Sequence, residues 1–406
     1  MDTRLGLREN WKQFSLLVLV SAFVGGMIGL ERSIFPEYAQ KVFGIESKTA
    51  ILSFITAFGI TKALTNYFTG RLANAIGRKN LLVIGWLFAI PVPFILMNAN
   101  GWNWVIVANL LLGINQGLTW SSTVVMKIDL VGEKNRGLAM GLNEFAGYFA
   151  IGIVAFLSGY VADRYGITPY PFYIGIVISI IGFLLSLFFI NDTSKFVALE
   201  SKDDNSTELK NIFWETTLKD KTLSSVSQAG LVNNLNDGMI WGLLPIILLQ
   251  ANYDSQNIGI ITAIYPTVWG LGQLFTGRMS DIYSKKAMLF WGMLLQGFAI
   301  LILPFITESY IMLIALTFAL GIGTALVYPT FLSTIAAATS PAQRAESIGT
   351  FRLWRDLGYA IGAIVSGIIA DLFGVSMAIL SIGAITIVSA MVIKFRMPEL
   401  KTIKNN

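Results

Sequence analysis

"GRLANAIGRK" at residues 70–79 returns as "GRMSDIYSKK" at residues 277–286, displaced by 207 positions. Three further blocks keep the same order with a displacement of 208: "LGI" at 112–114 and 320–322, Arg136 and Arg344, and "SGYVADRYG" at 158–166 against "SGIIADLFG" at 366–374. A displacement of about half the chain, held over four blocks, means two equivalent units in tandem. Long apolar runs separate the blocks, so the units are built for lipid.

Composition fixes the solvent. The chain is 54% hydrophobic and 13% charged, with a mean hydropathy of +0.66, whereas soluble domains carry about 25% charged residues. A helix needs about 20 mostly apolar residues to cross a hydrocarbon core. Twelve such stretches are expected, near 13–35, 49–69, 81–98, 103–126, 138–162, 171–190, 226–250, 257–276, 287–305, 310–335, 347–370 and 375–394. The first follows a short basic leader, has no small-residue cleavage signature, and is read as span 1 rather than a removed signal. With the N-terminus inside, four of the 29 Lys and Arg fall outside (Arg32, Lys41, Lys48, Arg164) and three within spans (Lys62, Arg352, Arg355). The other 22, Lys127 among them, are assigned to cytoplasmic segments, as the positive-inside rule requires. The net charge of +5 therefore reports topology and not nucleic-acid binding.

There are no Cys and no His, which removes disulfides, thiolate and imidazole metal sites, and His proton relays. Proton chemistry falls to carboxylates. One long polar segment, residues 191–225, contains "DTSKFVALESKDDNSTELKNIFWETTLKDK" and reads as a cytoplasmic linker with a short amphipathic helix around Leu209 to Leu218. It divides the chain into six-helix bundles at 1–190 and 226–406. Parallel repeats of this kind are related by an axis along the membrane normal, with a solute site where they meet.

The loop at 70–79 resembles the signature G-x-x-x-D-x-x-G-R-K/R of the major facilitator superfamily, and topology, linker and repeat resemble that family over essentially the whole chain. The resemblance implies an all-α membrane protein of 12 helices in two pseudo-symmetric bundles. It also makes the loop a cytoplasmic latch that caps the start of span 11 when the inner gate closes. Gly70, Gly77, Arg78 and Lys79 match the motif. Asn74 stands in place of its Asp, while the second copy keeps the acid as Asp281. Asp129, ending span 4 in "KIDLVGEKNRG" (127–137), is expected to pair with Arg78, and Arg136 completes the gate. Two marks of drug/proton antiporters depart: in "GINQG" (113–117) Gly113 replaces an Arg, and span 5, "NEFAGYFAIGIVAFLSG" (143–159), has no proline. A weaker similarity, in "GLNEFAGY" (141–148) and "RLWRDLGYAIGA" (352–363), is to little-characterised prokaryotic members, including magnetosome-membrane proteins thought to handle iron.

The family places spans 1, 4, 7 and 10 around a central cavity. That selects Asn115, Gln116 and Trp120 on span 4, and Tyr328 at the repeat position of Trp120 on span 10. On span 7 it selects Asn233, Asn234, Asn236, Asp237 and Trp241 in "NNLNDGMIW" (233–241). Four polar residues in five positions cannot all face lipid; helix-to-helix hydrogen bonding is the alternative use. Asp237, roughly 16 Å into its span, is the leading proton or cation site, and Glu144 on span 5 the second. Glu31 and Arg32 read as an ion pair at the interface, Asp163 and Asp371 as helix caps, and Lys62 as a charge able to neutralise a carboxylate across the joint. The aromatic residues read as packing and interface belts.

In "FRLWRDLGYAIGA" (351–363), Arg352, Arg355 and Asp356 lie too deep to stay unpaired. Arg352 and Asp356, four apart, are expected to bond to each other. That leaves Arg355 for an external partner or an anionic ligand, in a cluster that stabilises one gate state where span 11 meets span 2.

The expected function is secondary active transport of a small-molecule substrate by alternating access, driven by protons or another cation, with efflux as one reading. Facilitated or cation-linked uptake of a polar or anionic metabolite or a metal complex is the second. A solute sensor or membrane scaffold is an alternative of another class. No enzyme activity, cofactor, metal ligand set or nucleic-acid partner is expected. The protein is expected to be a monomer in the lipid bilayer of a prokaryotic cytoplasmic membrane, with both termini inside.

Overall fold

Residues that are apolar on every side of a helix can face lipid only if the backbone hydrogen bonds close within the helix, and long helices make up the described chain. A computed structural model describes residues 5–131, 136–196, 211–339 and 341–399. The first half runs α1 (Trp11–Arg32), α2 (Phe35–Phe43), α3 (Lys48–Ile76), α4 (Arg78–Ala89), α5 (Pro91–Met97), α6 (Trp102–Val131), α7 (Arg136–Tyr165) and α8 (Tyr170–Phe188). A short helix, α9 (Ile212–Trp214), and a π-helical turn (Glu215–Lys219) lead into the second half. There α10 (Lys221–Gln250), α11 (Ser255–Ile282), α12 (Lys285–Ile302), α13 (Tyr310–Ala338), α14 (Pro341–Phe373) and α15 (Val375–Arg396) follow. Side-chain caps start several of them: Ser47 accepts from Ala50 N–H, Asp220 from Leu223, Asp254 from Asn257 and Ser284 from Ala287, each satisfying an orphan amide.

The expected stretches fall on helical segments, although 81–98 is divided between α4 and α5, 13–35 runs from α1 to the start of α2, and 287–305 ends in a 3-10 turn. Among the described residues, nine helices are long and apolar enough to cross a membrane by length and composition. The three long helices outside that group are α3, α6 and α10, of 29, 30 and 30 residues. Their shortfall is chemical, because they carry the polar residues that the bundle buries: Lys62, Asn109, Asn115, Gln116, Lys127, Asn233, Asn234, Asn236 and Asp237. Two expectations shift in detail. Lys127, assigned above to a cytoplasmic segment, is fully buried, because α6 continues through Val131. Leu209 and the rest of 197–210 lie outside the described residues, so the amphipathic linker helix is seen only from Ile212 onward.

Two antiparallel helix pairs join the halves: α3 with α14, and α7 with α11. Both crossings need residues without side chains. A Cβ on Gly59 of α3 would sit 2.8 Å from Ala360 N of α14, and one on Gly159 of α7 would sit 2.9 Å from the Gly259 Cα of α11. At the face opposite the chain termini, the second half also caps the first. The Asp371 carboxylate, on α14, accepts from the Ser47 hydroxyl (2.7 Å), Thr49 N–H (2.9 Å) and Lys48 N–H at the start of α3. Beside it, Ser255 of α11 donates to Glu37 of α2 at 2.7 Å.

Gly59→Val is expected to force α3 from α14 and lower stability by about 1–3 kcal/mol, the usual cost of overpacking. Gly101→Ala, where an added Cβ meets nothing within 4 Å, is expected to stay within about 0.5 kcal/mol of wild type. Melting of the two purified variants compares them, and equal melting temperatures would refute the close crossing.

Candidate functional site

Asp356, on α14, is completely buried between the two halves. Its Oδ1 accepts from Arg355 Nη2 at 2.8 Å and Nε at 3.1 Å, and from Asn234 of α10 at 3.5 Å. Its Oδ2 accepts from Asn66 of α3 at 2.5 Å, and the Asn66 oxygen accepts in turn from Ser121 of α6 at 2.6 Å. Three helices from both halves thus meet on one carboxylate, and α6 joins them through Asn66. The ion pair expected within this segment is corrected: Arg355, not Arg352, pairs with Asp356. Tyr328 of α13 decides the exchange, since its hydroxyl accepts from Arg355 Nη1 while its ring lies 4.8 Å from the guanidinium. Arg352 turns to the first half and donates to Ser121 at 3.5 Å.

Asp237 is also completely buried. Its Oδ1 accepts from the Tyr265 hydroxyl, which lies 3.2 Å from the Thr324 hydroxyl, and its Oδ2 makes no hydrogen bond to the protein. Glu31 and Arg32 do not form an interfacial pair. Both are buried (1% and 3% exposed), with Arg32 set against Phe58 of α3 and Trp241 of α10. Arg32 lies over the Trp241 ring, 3.5 Å from its centroid, and neither Glu31 oxygen has a hydrogen-bond partner.

Rings enclose these charges. Trp120 packs on Tyr148 (5.3 Å between centroids), Tyr148 stacks on Trp269 (3.5 Å), and Trp269 meets Tyr328 (5.7 Å) and Tyr265 (5.8 Å). Trp241 stacks on Tyr359 at 4.9 Å, and Phe58 approaches Tyr359 at 6.0 Å. Lys62, 4% exposed, projects among Tyr359, Phe58 and Trp120. Glu144 Oε1 accepts from Trp120 Nε1 at 3.0 Å and from Asn143 at 2.9 Å, leaving Oε2 without a partner. Asn143 in turn accepts from Ser21, and Ser21 from the buried Lys127 at 2.6 Å. A polar chain therefore runs from Lys127 to Glu144.

The other candidates hold helices together. Asn115 donates to Gly85 O, Gln116 to Val24 O and to Asn115, Asn233 to Asn234, and Asn236 to Gln296 while accepting from Thr386. At the face bearing the termini, Arg78 Nε lies 2.8 Å from Asp129 Oδ2, which also accepts from Thr193 at 2.7 Å. Gly77 turns there with φ +87°, a conformation glycine adopts without strain. Lys79 N–H and Ser194 N–H donate to Asp192. Burial pushes the Asp192 carboxyl up, but hydrogen bonds from Ser194 and Lys79 outweigh it and hold the group below its ordinary range. The surroundings of Gly70, Asn74, Arg136 and Asp281 lie outside the described residues. Among the described residues no group of three or more His, Cys, Asp or Glu converges on a metal site.

Sequence reasoning missed Asn66, Lys127, Tyr148, Tyr265, Trp269 and Tyr359. Their spans stood outside the four assigned to a cavity wall, except for Lys127, which lay one residue past its predicted span. An amide or an ammonium in a lipid-length run is itself a signal that could have found Asn66 and Lys127.

A family model described as Major Facilitator Superfamily matches residues 15–233 and again 226–406. The multidrug resistance protein MdtG of Proteus mirabilis (strain HI4320) is 24% identical over 405 residues, 97% of this chain and 98% of its own length. An uncharacterized MFS-type transporter of Methanocaldococcus jannaschii is 29% identical over 171 residues, 42% of this chain and 44% of its own. Among solved structures, a mutant of the nucleoside transporter NupG matches with TM-score 0.75 at 15% identity, covering 95% of this chain and 100% of that one. The human organic anion transporter MFSD10 matches with TM-score 0.71 at 15% identity, covering 95% and 99%. Likeness at that identity establishes the fold.

The Arg78–Asp129 pair is mostly buried, so a double-mutant cycle with Arg78→Ala and Asp129→Ala should give a coupling energy of about 0.5–3 kcal/mol. Denaturation of the four purified proteins measures it, and additive losses would show that the pair does not couple.

Proposed function

Because the chain belongs to the major facilitator superfamily and is therefore a membrane transporter and not an enzyme, we propose that it is a proton-coupled secondary transporter that exports an amphipathic organic solute. The halves rock about the α3/α14 and α7/α11 crossings, and the face bearing the termini is cytoplasmic. Asp237 carries the reading. Like Glu144 it has a free oxygen and no cation bonded to it, but it is held by one hydroxyl where Glu144 is held by an indole and an amide, in a chain without His. A buried carboxylate held by one hydroxyl can exchange a proton as water access alternates, whereas Asp356, tied by Arg355 and two amides, keeps its charge.

The rings around Asp237 support an amphipathic solute, since aromatic faces supply apolar area and the ionic groups between them fix orientation. The export direction draws on the relative named for multidrug resistance, which aligns over nearly the whole chain. The missing Arg on span 4 has a local reason. A Cβ on Gly113 would sit 2.8 Å from Phe58 O and 3.2 Å from Lys62 N, so α3 fills that place and brings Lys62 as the cation.

In the proposed cycle, Asp371 and the Glu37–Ser255 contact seal the outer face. Opening that face must strip three donors from the Asp371 carboxylate and expose the start of α3, which gives the sealed state a definite anchor.

Asp237→Asn keeps the side-chain shape and removes the titratable oxygen. The variant is expected to fold while solute movement in proteoliposomes loses its response to an imposed pH gradient. A wild-type response would exclude Asp237 as the proton carrier. Reporter fusions after residues 210 and 400 should both report cytoplasm, and an external signal from either would reverse the assigned faces.

A further inference from the structure

Lys62 and Arg32 are the two cations that bond to no member of the acid network, and both lie near one ring. Lys62 Nζ and the Arg32 guanidinium carbon each lie 5.5 Å from the Phe58 centroid. Lys62 also lies 5.1 Å from the Tyr359 centroid and 5.6 Å from that of Trp120, and Arg32 lies 3.5 Å from that of Trp241. Both side chains are more than nine-tenths buried. Among the described residues neither makes a hydrogen bond or an ion pair, and Arg32 Nε and Nη2 are enclosed with no acceptor.

The acids nearby are served differently. Asp356 has Arg355 and two amides, Glu144 has Trp120 Nε1 and the Asn143 amide, and Asp237 has the Tyr265 hydroxyl. Glu31 has no donor, and its charge acts on the adjacent Arg32 through space without forming an ion pair. A carboxylate without a donor can shed its charge by taking a proton. A guanidinium cannot lose one in a protein, and π faces only partly replace the water it has given up. Glu31 and Asp237 lie near Arg32, and Asp356 and Glu144 near Lys62, yet none of them bonds to either cation, so what this end of the cage lacks is a bonded anion.

We propose that Lys62 and Arg32 form an anion-binding subsite for a planar aromatic carboxylate. Its acid group would sit between the ammonium and the guanidinium, and its ring would lie among Phe58, Tyr359 and Trp241. Trp241 and Tyr359 stack on each other, 18° from parallel, and Arg32 covers Trp241, so the ligand's ring would extend that stack at the Tyr359 end. Lys62 comes from the first half and Tyr359 and Trp241 from the second, so such a ligand would touch both. This deepens the transport reading above, and rests on it, by naming the charge of the solute.

The test is equilibrium binding to the purified full chain in detergent, with no gradient present, read by tryptophan fluorescence and thermal shift. The probes are 2-naphthoate, neutral 2-naphthamide and cationic 2-naphthylmethylammonium. The proposal expects naphthoate to bind at least about tenfold more tightly than either isostere. Lys62→Met should erase that preference, and Lys62→Arg should restore much of it. Melting without ligand confirms that both variants fold; if Lys62→Met does not, Arg32→Gln substitutes for it, with the same loss expected. Equal binding of the three probes, preference for the cation, no naphthoate binding up to about 10 mM, or a preference unchanged in a folded Lys62→Met would overturn the assignment. Asp237→Asn separates this proposal from the coupling reading: it should abolish the pH response in liposomes while naphthoate keeps its preference in detergent. Either result can fail without the other.

Discussion

The carboxylate of Asp356 is the point at which the two halves of the molecule become one structure. A charge buried that deeply is tolerable only when nearly all its lone pairs are used, and here the partners come from both sides: Arg355 and Asn234 from the second half, Asn66 from the first. Once α3 and α14 must meet at Asn66 and Asp356, the small residue at Gly59 follows, since the helices can approach that closely only where one has no side chain. The requirement also propagates outward. Arg355 must reach Tyr328 to complete its own bonding, and Tyr328 fixes the edge of the aromatic cage.

A joint made of hydrogen bonds and glycine contacts differs from one made of apolar side chains. In lipid the hydrophobic effect does not press helices together, so association rests on close packing and polar bonds. Both kinds of contact at this joint are local and reversible: a carboxylate and an amide at one depth, an N-terminal cap at the Asp371 end. Such bonds can be released a few at a time while the six-helix halves keep their own packing, and the proposed rocking cycle needs that division.

Much of the fold was legible because lipid imposes its own grammar: run length gives the helices and the 207–208 displacement gives the halves. The site was less legible, for three physical reasons. Arg352 and Asp356 obey the i,i+4 rule of an isolated helix, but Tyr328 lies on another helix and draws Arg355 into the pair instead. Glu31 and Arg32 end an apolar run, the usual position of an interfacial pair, and only the crossing of other helices, with Phe58 and Trp241 against Arg32, takes them inside. Tyr148, Tyr265 and Tyr359 are single aromatics among many, and nothing in their spacing separates a cage from a belt until the helices cross.

The two halves use the same positions for different chemistry. Trp120 and Tyr328, 208 apart, both line the cage, so that position keeps an aromatic ring. Lys62 and Trp269, 207 apart, exchange an ammonium for an indole, and Glu144 and Arg352, 208 apart, exchange an acid for a base. A symmetric frame with identical side chains would present a solute with two equal sites about the axis. By placing the cation of one pair in the first half and the base of the other in the second, the repeat becomes a single site with a direction. The aromatic anion proposed above would then lie in one orientation, with its charge toward Lys62 and its ring toward the aromatic faces of the second half.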